Sequence, residues 1–208
     1  NAFIHDLGKA IKATVPGPML HPGIVKAYTE KKGKALLQEE VHLVAESDQV
    51  AREGQGSAVL ATTSAAAFLS NPVLHQEVFG PYSLVIRCKN EQEMLQLAHA
   101  LEGQLTTSLM AEPSEVPKYA PLIEVLKMKC GRFILNGVPT GVEVCISMQH
   151  GGPFPATTDS RFSSVGADGF KRFVRPLAFQ GWPDELLPDA LKNRSEEHTS
   201  ELQSLRHL

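Results

Sequence analysis

From Tyr82 to Leu135 the hydrophobic pattern switches repeatedly between a two-residue and a 3.6-residue period, and this alternation constrains the fold more than anything else in the chain. Tyr82 to Cys88 reads as a strand, and Glu91 to Leu101 as an amphipathic helix turning Met94, Leu97, Ala98 and Leu101 inward. Thr106 to Met110 is a second strand, Pro113 to Lys129 a second helix with Val116, Tyr119, Ile123 and Leu126, and Arg132 to Leu135 a third strand. Strands separated by helices cannot pair as hairpins. They need crossovers, which set them parallel and lay the helices over the sheet. The expectation is an α/β fold: a three-layer sandwich with a mostly parallel sheet, whose ligands collect at the carboxyl ends of strands.

Upstream, residues 1 to 13 predict a helix with Phe3, Ile4, Leu7 and Ile11 on one face, ended by Val15-Pro16-Gly17-Pro18. A second helix starts at Pro22, acceptable in a first turn, and runs to the lysines at 31, 32 and 34, which read as a solvated helix end. A short strand is expected at Val41 to Ala45, a loop at Gly54-Gln55-Gly56, and a small, β-branched strand from Ser57 to Ala67. Between that strand and the alternating region lies Asn71-Pro72-Val73-Leu74-His75-Gln76-Glu77-Val78-Phe79-Gly80-Pro81. Two prolines and a glycine fix an irregular backbone there, and Glu77 and Phe79, two apart, share a side of an extended segment. A carboxylate can accept both hydroxyls of a ribose, and an aromatic face can pack on an attached base or nicotinamide.

The net charge of −3 leaves no basic footprint for nucleic acid. No apolar run reaches bilayer length and the N-terminus lacks secretory-signal character, so no membrane partner and a cytoplasmic location are expected. Cys88, Cys130 and Cys145 are odd in number and share no Cys-x-x-Cys spacing, which argues against disulfides and a zinc cluster. The scattered histidines show no ligand spacing, so no metal site is assigned.

Glu77-Val78-Phe79-Gly80-Pro81 resembles the Glu-x-Phe-Gly-Pro motif of the aldehyde dehydrogenase superfamily. Met94 to Leu109 and Gly131-Arg132-Phe133-Ile134-Leu135-Asn136-Gly137 resemble the segments that follow it there, so the likeness is a register of landmarks over residues 1 to about 193. The resemblance implies an aldehyde dehydrogenase catalytic-domain fold truncated on its N-terminal side, a small aldehyde substrate, NADP or NAD as cofactor, and a homo-oligomeric parent. It implies that Glu77 holds the nicotinamide ribose and that Phe79 packs at the nicotinamide. Where the family carries Pro-Phe-Gly-Gly-x-Lys-x-Ser-Gly, this chain has Gln149-His150-Gly151-Gly152-Pro153-Phe154-Pro155. That departure, with Ala156 to Arg161 and Phe173 to Gln180, resembles the branch that oxidises α-ketoglutarate semialdehyde (2,5-dioxovalerate), and points to His150 and Ile146 as substrate-pocket candidates.

Aldehyde oxidation on this pattern uses a thiolate, oxyanion donors, a hydride acceptor and a base. The family's Gly-Gln-x-Cys segment is not in the sequence, and Cys88, Cys130 and Cys145 read as small buried hydrophobes. No catalytic residue is therefore assigned, and the fragment alone is expected to be inactive. The expected organisation is the C-terminal part of the catalytic domain over 1–180, a native tail over 181–193, and a sequencing-adapter translation over 194–208. Something is expected to precede Asn1, and Val174 to Phe179 is a candidate subunit-interface strand. The rival expectation is a non-enzymatic α/β module that binds a nucleotide or oligomerises.

Overall fold

The structure, a computed structural model, describes residues 2–141 and 144–193; the expected adapter-derived tail lies outside them. Helix α1 spans Ala2–Ala13 and α2 spans Pro22–Leu36, with Pro22 in the first turn and the His21 ring nitrogen Nδ1 accepting from the Gly23 amide. Phe3 does not turn inward as its spacing suggested. It is 65% exposed, while Ile4, Leu7 and Ile11 are half-buried and Gly8 packs on Val44 and Ala45.

The core is strand β4, Val59–Ser64, in which Val59, Leu60, Ala61 and Thr63 are fully buried. A strand buried on both faces is a continuous small and β-branched run, as here. It pairs antiparallel with β2, His42–Glu46, across an irregularity between Leu43 and Ala45. On its other edge it pairs parallel with β5, Tyr82–Arg87, from Val59 opposite Tyr82 to Ser64 opposite Arg87. The expected strand does not continue to Ala67. Ser64 accepts from the Ala67 amide at 3.1 Å and starts α3, Ala65–Ser70, because a serine cap before an alanine run favours a helix. The loop at 54–56 also acquires structure: β3, Gln55–Gly56, pairs antiparallel with β1, Gly17–Pro18.

After β5 come α4, Glu91–Ala100, capped by the Asn90 side chain, and β6, Gln104–Leu109. The next helix is shorter than its periodicity predicts, because Pro117 and Pro121 remove backbone donors from its start. Val116–Tyr119 is a 3-10 turn, and α5 spans only Ala120–Lys127. Strand β7, Cys130–Leu135, begins two residues before the expected Arg132 and pairs parallel with β6. Lys129 donates its amine to the carbonyls of His99 and Leu101, closing the C-terminal end of α4.

The architecture is thus α/β with parallel crossovers, but its ladders are divided. Among the described residues β2-β4-β5 forms one sheet and β6-β7 another. Val174 to Phe179 is not a strand; it runs unpaired, with Val174 and Leu177 exposed. No helix among the described residues is long and apolar enough to cross a membrane.

Candidate functional site

The 71–81 turn is held by its own polar groups first. Asn71 accepts from the Val73 amide at 3.0 Å and donates to the Gln38 side chain at 3.0 Å, which caps a 3-10 turn over Pro72–His75. The His75 ring stacks on Phe68 with centroids 4.3 Å apart, and its Nε2 lies 2.8 Å from the Phe68 carbonyl, which requires an N–H there. Beyond His75 the chain has no regular structure until Tyr82.

Helix α2 supports that irregular part. Tyr28, 2% exposed, donates its hydroxyl to the Ser57 carbonyl at 2.6 Å and reaches the Pro81 carbonyl at 3.3 Å. Its ring fills the space where a Cβ of Gly80 would stand. The Lys31 amine donates to the Glu77 carbonyl at 3.2 Å, and the Lys32 amine pairs with Glu46 at 2.9 Å while lying 5.5 Å from the Tyr28 ring centre. Sequence reading missed Tyr28 and Lys31. Their partners lie 29 to 53 residues away, so no local pattern announces them.

Burial, with the nearby charge of Glu46 and then Tyr82, pushes the Tyr28 hydroxyl up to about 12. The folded state therefore holds this proton more tightly than the unfolded chain does. The stabilisation is complete below pH 10 and disappears as pH rises towards 12. Chemical denaturation across that window is expected to show roughly 2 kcal/mol more loss in the wild type than in Tyr28→Phe. Equal losses would place Tyr28 in water.

Glu77 and Phe79 are both exposed on either side of half-buried Val78, in line with their two-residue spacing. They nevertheless border different spaces. Glu77 lines an open polar cleft of about 920 Å³ with Lys31, His75, Glu102, Gln104 and Thr106. Phe79, 60% exposed, lines an apolar cleft of about 440 Å³ with Val15, Met19, Leu20, Ile24 and Pro81. Among the described residues the Glu77 carboxylate accepts no hydrogen bond and joins no ion pair, so its oxygens remain open to a ligand's hydroxyls. A carboxylate over a polar cleft can accept a ligand's hydroxyls, and a bare aromatic ring over an apolar one can pack on a flat ring.

His150 and Ile146 lie elsewhere. His150 is half-buried and anchored through its backbone: its amide donates to Ser163 Oγ, and its carbonyl accepts from Ser164. Ile146, 81% exposed, lines a space of about 170 Å³ with Met148, Arg161, Phe162 and Lys171. Neither lines the polar cleft beside Glu77 or the apolar cleft beside Phe79. Arg161 is engaged by Asp159 through contacts of 2.6 to 3.2 Å, and this pairing holds the Asp159 carboxyl down to about 2.

Burial and then Glu93 push the Cys88 thiol up, opposite to thiolate activation. The Cys130 thiol donates to the Leu126 carbonyl at 3.3 Å, and Cys145 sits 3.4 Å from Ser147 Oγ.

A sequence profile described as the aldehyde dehydrogenase family matches residues 5–168. Alpha-ketoglutaric semialdehyde dehydrogenase 2 of Azospirillum brasilense is 41% identical over 184 residues, which is 88% of this chain and 35% of the relative. Alpha-ketoglutaric semialdehyde dehydrogenase of Acinetobacter baylyi is 38% identical over 201 residues, 96% of this chain and 38% of the relative. This chain therefore spans little more than a third of either. Among solved structures, proline utilization A from Bdellovibrio bacteriovorus superposes with a TM-score of 0.64 at 19% identity, over 83% of this chain and 18% of that one. Betaine aldehyde dehydrogenase from Staphylococcus aureus, in complex with NAD+, gives 0.56 at 16% identity, over 88% and 38%. These two show the fold.

Proposed function

The chain belongs to the aldehyde dehydrogenase family, and on that premise we propose that it is part of an NAD(P)+-dependent dehydrogenase that oxidises α-ketoglutarate semialdehyde to the carboxylate. The observation that carries the substrate is the 38–41% identity to two proteins of that name across nearly the whole chain. The cofactor, when bound, supplies the hydride acceptor. Glu77 contributes an open carboxylate that accepts from the ribose hydroxyls and fixes the sugar. Phe79 offers an apolar face that excludes water from one side of the nicotinamide ring. His150 and Ile146 contribute to the substrate end, His150 through a backbone already fixed by Ser163 and Ser164. The thiolate that forms the thioester comes from the remainder of the parent, so the isolated chain does not turn over. The parent associates with copies of itself, a reading supported by the exposed apolar side chains Phe173, Val174 and Leu177.

The test is a specificity comparison in the intact parent. kcat/KM for α-ketoglutarate semialdehyde is expected to exceed that for pentanal, an uncharged aldehyde of the same length, by two orders of magnitude or more, on the order of the discrimination that buried polar groups give. Glu77→Gln is expected to lower kcat/KM roughly tenfold or more through loss of charge-assisted hydrogen bonds. Equal rates on the two aldehydes would overturn the substrate, and an unaffected Glu77→Gln enzyme would overturn the ribose role.

A further inference from the structure

We propose that α2 is the positioning element of this site, with Tyr28 and Lys31 holding the backbone of the Glu77–Pro81 turn so that the Glu77 carboxylate and the Phe79 ring stay on the rims of their clefts. The proposal rests on the reading of Glu77 and Phe79 as ligands of a ribosyl nicotinamide. Tyr28 and Lys31 are three residues apart and so share one face of the helix. From that face the Lys31 amine meets the Glu77 carbonyl, the Tyr28 ring lies under Gly80, and the Tyr28 hydroxyl reaches the Pro81 carbonyl. Each contact falls on backbone or on a glycine. The side chains of Glu77 and Phe79 are left for a ligand.

The turn needs such a support. Residues 76–80 make only two backbone–backbone hydrogen bonds among those described, the Gln76 amide donating to the Val73 carbonyl and the Gly80 carbonyl accepting from the Tyr82 amide. Val78 is half-buried and lines a small recess with Lys31, Lys34 and Ala35, while its neighbours Glu77 and Phe79 are exposed. Tyr28 is itself fixed by its bond to Ser57 and by Lys32, whose amine is tied to Glu46. A carboxylate on a loose turn would lose affinity to the entropy of ordering it; one on a clamped turn is ready to bind.

The intact parent tests this with β-nicotinamide mononucleotide as the probe, titrated by ligand-observed NMR, and with 15N order parameters at Glu77, Val78 and Phe79. Lys31→Met and Tyr28→Phe are each expected to weaken binding about fivefold, the worth of one hydrogen bond, and to lower the order parameters from about 0.85 to below about 0.6. Lys31→Arg, which can still donate to the Glu77 carbonyl, is expected to restore both. Lys31 is exposed, so its variants read out the clamp without disturbing the core. If Glu77→Gln weakens binding while Lys31→Met and Tyr28→Phe leave affinity and order parameters unchanged, the positioning role is overturned and the ribose reading stands. If the wild type does not bind the probe, or Glu77→Gln binds equally well, the ribose reading is overturned and the proposal with it.

Discussion

Gly80→Ala is expected to destabilise the chain by roughly 3 to 5 kcal/mol, the sum of a backbone cost and a packing cost. Gly80 has φ of +155°, a conformation that side chains disfavour. A Cβ there would also lie within the Tyr28 ring, and that ring is held from moving by the hydroxyl bond to Ser57 and by burial to 2%. Alanine must therefore push α2 away from the turn or twist the turn away from β5. Urea denaturation measures the loss, and a double-mutant cycle with Tyr28→Ala separates its parts. The double variant should cost less than the two singles together, because removing the ring vacates the space the methyl needs. Strict additivity would leave backbone strain as the whole effect.

The second large effect is expected at Gly131→Ala, about 2 to 3 kcal/mol from overpacking against backbone. The segment from Gly151 to Phe154 lies flat on the starts of β6 and β7. A Cβ on Gly131 would fall on the Gly151 carbonyl, one on Gly103 on the Pro153 and Phe154 carbonyls, and one on Gly152 on the Gln104 carbonyl. Backbone meets backbone at each point, so no flexible side chain can yield. The Gly103 amide donates to the Phe154 carbonyl at 3.3 Å across this contact. Hydrogen exchange at Gly103 should therefore accelerate in Gly131→Ala along with the fall in stability. Gly33, in the last turn of α2 with nothing near its missing Cβ, provides the opposite sign. Gly33→Ala is expected to stabilise by about 0.5 to 1 kcal/mol, since alanine favours the helix and no atom obstructs it.

These glycines bear on the proposed function through position. Gly80 shapes the turn that presents Glu77 and Phe79, and Gly151 and Gly152 follow directly on His150. Overpacking at either place would displace a proposed ligand contact as well as cost stability. Kinetics on the parent could thus fall even where the fold survives.

Elements with strong local signals were legible in the sequence. The periodicities of α1, α2, β5, α4, β6 and β7 give each element to within a few residues, because an amphipathic face repeats over several turns or pleats. The irregular turn at 71–81 was equally plain, since Pro72, Gly80 and Pro81 admit little else, and its motif with the landmarks after it pointed to the family that the profile and the relatives show. Where two local preferences competed, reading by pattern erred: small residues from Ser57 to Ala67 looked like one strand, yet the Ser64 cap and the alanines after it turn the second half into α3. The helix expected from Pro113 shortened for a similar reason, its prolines breaking a pattern that its apolar residues continued.

Tertiary structure alone decided the rest. Two strands of two residues each carry no period to read, so β1 and β3 are visible only once paired. The division of the parallel strands into separate sheets follows from which edges meet, and edge choice leaves no mark within a strand. Glu77 and Phe79 share a side by spacing, but the walls opposite them come from α2, β6 and residues 14–24, which makes one neighbourhood polar and the other apolar. Tyr28 under Gly80 and Gly151 on Gly131 are contacts between residues 52 and 20 positions apart. The local conformations and the motif depend on neighbours along the chain and are readable there; the support and surroundings of the motif depend on neighbours through space, which only folding assembles.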